Sequence, residues 1–233
     1  MEDNCAIPRT VKEILEWKNS TGRRNWSESV EKYNHEYTEK CGGTGMTDVL
    51  FSFLGIYAIG VWVFNKNIDG LFKIEKNKIK TLQEENGEYH KQILCSKIFL
   101  LRLQNEKVNG INVDVLNEHL KGFVDTYFNV GNLVPMWPGG NTLKGNQNMG
   151  FLDIPELFFR KYSYWYGKLN EHPQAWLKEM NVEVDVEHTR FNSLESFLIS
   201  VNSPKKYVEY VNNAVRIIKD RTDKIGIQEI ECQ

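Results

Sequence analysis

The chain is 233 residues long and carries 29 Lys and Arg against 31 Asp and Glu, a formal net charge of -2. That size and balance fit one large domain or two small ones and argue against strong nucleic-acid affinity, because phosphate binding needs an excess of positive charge. At 41% apolar and 12% aromatic the composition is that of a packed protein, and a chain this long buries roughly 70–75% of its unfolded surface without needing disulfides or metal.

The start, Met1-Glu2-Asp3-Asn4, is acidic and polar where a signal peptide would be basic and then apolar. Cys5, Cys41, Cys95 and Cys232 are too scattered for a zinc site, and no cofactor motif accompanies them. Together these features predict a cytoplasmic protein with free thiols. Thr10 and Glu13 have capping-box spacing ahead of Val11, Ile14 and Leu15, which predicts a first helix. Asn25 and Glu28 repeat the signal. Val49–Phe64 then runs 16 residues without a charge. A membrane span needs about 20, so the expectation is a helix buried in a globular core.

Residues 69–87 are ambiguous. LFKIE and KIKTL flank Lys76-Asn77 as the arms of a hairpin would, and Asn86-Gly87 is a turn signal that interrupts any helix there. The expectation is a small hairpin or turn followed by a helix over about 88–104. Val113, Leu116, Leu120, Phe123, Val124 and Tyr127 recur near a 3.6-residue period and predict a long amphipathic helix.

Residues 129–150 break both helix and strand rules, with Gly131, Pro135, Pro138, Gly139, Gly140, Gly145 and Gly150 in 22 positions. Phe128, Leu133, Met136 and Trp137 would seek burial, so an ordered, folded-back loop is predicted. Asp153 and Glu156 cap a following helix in which Phe158, Tyr162, Trp165 and Leu169 share one face. The aromatic run there, with Arg160, Lys161 and Lys168, reads as core packing more readily than as a base-stacking platform. Asn192 and Glu195 open a helix bearing Leu194, Phe197, Leu198 and Val201. Ser203 caps a final helix with Pro204 in its first position and Val208, Val211, Val215 and Ile218 on one face.

The fold expected is mainly α: a single globular helical domain over 1–233, with an N-terminal helical half (1–110) and a C-terminal half (111–233) built around loop 129–150. The segment from Gly131 to Tyr162 resembles the signature of a family of uncharacterised bacterial proteins, carried here by Gly131, Asn132, Pro135, Pro138, Asn141, Lys144, Gly145, Asp153, Leu157 and Tyr162. FNSLESFLISVN and the closing helix are similar too, so the resemblance covers about the last hundred residues. It implies a shared fold unit and loop, and no reaction. Lys144 stands where the family pattern has Arg, which weakens bidentate anion recognition.

Chemically the loop offers amide side chains, one cation, permissive backbone and an indole, the ingredients of a site for a small polar ligand or a protein partner. The contacts expected are Asn132, Trp137, Asn141 and Lys144, with Asp153 and Arg160 alongside. The plainer reading is that the asparagines and Asp153 cap helix ends. The spacing is not that of a phosphate-binding P-loop, since Gly145 follows Lys144 directly.

A second resemblance is to a His-metal nuclease pattern: Glu118-His119-Leu120 followed by Gly131-Asn132-Leu133 and a later Asn141. It implies His119 activating water on a phosphodiester beside a metal, with Glu118 as its neighbour. Against it, Glu118 and His119 fall inside the amphipathic helix, and no further His follows nearby. A structural subunit of a larger assembly is the third reading.

Overall fold

A computed structural model describes residues 8–20, 47–65, 72–75, 78–81, 84–85, 88–89, 96–105, 111, 113–135 and 194–225. The fold is mainly helical, as the capping signals and apolar periodicity predict. Six α-helices are present among the described residues: α1 (Val11–Ser20), α2 (Phe53–Phe64), α3 (Ser96–Asn105), α4 (Asp114–Thr126), α5 (Leu194–Ser200) and α6 (Pro204–Ile225). The Asn25/Glu28 and Asp153/Glu156 caps, Asn192, the aromatic run 158–169 and all four cysteines lie outside the described residues.

Helix α1 starts where the capping box places it. The Glu13 amide donates to Thr10 Oγ1 at 3.1 Å, and the Glu13 carboxylate reaches back to accept from the Arg9 amide at 2.6 Å. The reach is one residue longer than in the usual box, where the acid accepts from the cap residue itself. Val11 and Ile14 are buried, and they seat α1 against α2 and α3.

The uncharged run does form a core helix, and no helix among the described residues is long and apolar enough to cross a membrane. It begins later than its composition suggests. Ser52 caps α2 by accepting from the Gly55 amide at 3.3 Å, and nine of its twelve residues are buried. Thr47–Val49 instead forms strand β1, paired antiparallel with β6 (Leu133–Pro135) in the register Val49 to Leu133. The pairing partner is remote in sequence, so local hydropathy could not reveal it. Asn65 closes the helix, its side chain and its own amide both donating to the Val61 carbonyl at 2.9 and 3.1 Å.

The ambiguous segment contains the hairpin. Strand β2 (Phe72–Glu75) pairs antiparallel with β3 (Lys78–Thr81), Glu75 opposite Lys78. A second, two-residue pairing of β4 (Glu84–Glu85) with β5 (Glu88–Tyr89) surrounds Asn86-Gly87. The helix expected from about residue 88 starts at Ser96, and Glu88 and Tyr89 belong to β5 instead.

The stripe on α4 is buried as predicted. Val113, Leu116, Leu120, Phe123, Val124 and Tyr127 are each 3% exposed or less, so the helix turns its full apolar face inward. On α6 the buried line is displaced from the one predicted: Tyr207, Val211, Ala214, Ile218 and Arg221 lie inside, while Val208 and Val215 are half-buried. Ser203 accepts from the Lys206 amide at 3.4 Å as the cap, with Pro204 in the first turn. Phe197, Leu198 and Val201 bury the short α5. One hydrophobic cluster draws on residues from Val11 to Ile218, with α6 packed on α4 and α2 and α2 packed on α3 and α4.

Candidate functional site

The glycine- and proline-rich segment is described from Asn129 to Pro135, its foot on the core. After α4 the chain reverses in a series of tight turns: the Tyr127 amide donates to the Val124 carbonyl, Asn129 to Thr126, and Asn132 to Asn129. A single 3₁₀ turn, η1 (Val130–Asn132), leads directly into β6.

Gly131 lies against the backbone of α6. A Cβ there would come within 2.0 Å of the Ile218 carbonyl oxygen and 2.6 Å of the Thr222 nitrogen. What this position demands is space, since a side chain of any size would push two backbones apart. The Gly131 amide donates to Thr222 Oγ1 at 3.1 Å, and that hydroxyl donates onward to the Ile218 carbonyl at 2.9 Å. Thr222 thus serves the foot and its own helix at once.

Asn132 is fully buried. Its Oδ1 accepts from the Phe51 amide at 2.8 Å, and its Nδ2 donates to the Phe51 carbonyl at 3.3 Å and the Tyr127 carbonyl at 2.9 Å. The Asn132 backbone carbonyl accepts from the Leu50 amide at 2.7 Å. The side chain imitates a strand neighbour for Phe51, extending the β1–β6 pairing by one residue where no strand is present. It is a staple between segments 81 residues apart, and its amide faces protein on every polar atom.

Leu133 completes the foot. Its carbonyl accepts from Arg221 Nη2 at 2.9 Å, and Arg221 is 1% exposed. Arg221 and Thr222 are consecutive residues of α6, so one turn of that helix grips both Gly131 and Leu133. Phe53, Tyr57, Phe123, Tyr127 and Phe128 make edge-on and tilted ring contacts with centroids 4.6–5.7 Å apart beside this junction.

Further polar contacts join α2 to α4 and α6. Tyr207 Oη donates to the Ile56 carbonyl at 2.8 Å, Tyr57 Oη donates to Asn117 Oδ1 at 3.1 Å, and Asn117 Nδ2 donates to the Pro8 carbonyl. Burial pushes both phenols well above the usual tyrosine range, and at Tyr207 the nearby Tyr57 adds to the effect. Gly60 makes room for this pair, since a Cβ there would meet Tyr207 Oη at 2.6 Å and Leu116 Cδ1 at 2.4 Å.

The residues predicted for a site separate into three groups. Asn132 is in the core as a staple. Glu118 and His119 are exposed on α4, and the His119 ring stacks on Phe64 with centroids 5.8 Å apart. Trp137, Asn141, Lys144, Asp153 and Arg160 lie outside the described residues. No group of three His, Cys, Asp or Glu side chains able to hold a metal occurs among the described residues. Sequence reasoning missed Arg221 and Thr222. One signal was present: Arg221 falls on the apolar line of α6 three residues beyond Ile218, where a solvated Arg does not belong.

No protein-family model, curated protein or solved structure matches the chain.

Proposed function

We propose that the chain is a cytoplasmic bacterial binding protein that captures a small polar ligand in the loop leaving this foot, with Trp137, Asn141 and Lys144 as contacts and Asp153 and Arg160 beside them. The observation that carries the reading is the investment of buried polar groups at the loop's origin. Gly131 and Leu133 are tied by hydrogen bonds to one turn of α6, and Asn132 is tied to Phe51 ahead of α2. Binding loops work by being held on a rigid scaffold, because a contact fixed beforehand costs less entropy when the ligand arrives. Asn132 belongs to this reading as a positioning residue. Its amide has no polar atom left over for a ligand.

Lys144 supplies a charge and the asparagines supply paired donors and acceptors, so the ligand expected carries an anionic group. The test is a thermal-shift screen of the full chain against inorganic phosphate, nucleotides, sugar phosphates and small carboxylates, repeated with Asn141→Ala/Lys144→Ala. Binding stabilises a folded protein in proportion to the logarithm of ligand over Kd. A compound that raises the melting temperature of the wild type and not of the double variant supports the reading. If none does so, or if wild type and variant respond equally, the loop is not the binding element.

A further inference from the structure

We draw no further inference here: the strongest candidate, the buried Arg221–Thr222 pair on the last turns of α6, belongs to the loop foot already described, and nothing at it points to a ligand.

Discussion

Replacing Gly131 with Ala tests the packing of the loop foot on α6. The new Cβ would lie 2.0 Å from the Ile218 carbonyl oxygen, against 3.4–4 Å for an ordinary contact. The foot and the helix must therefore separate by more than about 1 Å, and the atoms in the way are backbone, which cannot rotate aside. Overpacking of this kind costs about 1–3 kcal/mol. The same movement stretches the Gly131–Thr222 and Leu133–Arg221 hydrogen bonds, each worth about 1 kcal/mol, for a total of about 3–5 kcal/mol. At about 2–4 °C per kcal/mol for a chain of this size, the melting temperature falls by roughly 10 °C. Gly122 provides the control. It is exposed on α4, and a Cβ there meets only Val215 Cγ2 at 3.9 Å. Gly122→Ala therefore stabilises the helix by about 0.5–1 kcal/mol and raises the melting temperature by about 2 °C. The assay is thermal unfolding followed by circular dichroism, with urea titration as a check. Gly131→Ala melting within about 2 °C of wild type would refute the close approach.

Further outcomes follow from the buried contacts. Asn132→Ala leaves the Phe51 amide without its acceptor and removes a donor from Tyr127, lowering stability by about 3 kcal/mol in urea titration. Asn132→Asp turns a carboxylate oxygen toward two carbonyls, which raises that carboxyl's pKa in the folded state. Its penalty is then small below about pH 4 and grows as pH rises toward 7, because the folded state holds a proton that the unfolded state gives up. Thr222→Val deprives the Gly131 amide of its acceptor and costs about 1–3 kcal/mol, while Thr222→Ser restores the midpoint to near wild type. The raised Tyr57 and Tyr207 phenols retain protons above about pH 10, where unfolded tyrosines lose theirs, so stability drops as pH rises past 10. Tyr207→Phe is less stable than wild type at pH 8 by about 1 kcal/mol, yet its stability declines less steeply between pH 8 and 11.

Local pattern carried the parts of the fold that depend on local pattern. The stripe from Val113 to Tyr127 is buried in full, and the arms on either side of Lys76-Asn77 pair as a hairpin, because both signals repeat within a few residues. Elements fixed by remote partners were not legible. Val49 reads as the head of an apolar helix until Leu133 is brought beside it, and the α6 stripe reads as a line of valines until Tyr207 reaches Ile56 and Arg221 reaches Leu133. Asn132 shows the same limit at the level of function. A polar residue in a glycine-rich loop suggests a ligand contact, and only Phe51, 81 residues earlier, shows where its amide is used.

Gly131-Asn132-Leu133 fixes the foot of the loop to the core. Native-state hydrogen exchange read by NMR tests this attachment at single amides. The Gly131 and Phe51 amides donate to buried side-chain oxygens of Thr222 and Asn132, so their exchange requires opening of the core itself. The expected result is protection within about tenfold of the slowest amides of α4 and α6, with the Phe51 amide losing its protection in Asn132→Ala. Exchange of both amides more than about a thousandfold faster than the helix cores in the wild type would contradict this attachment.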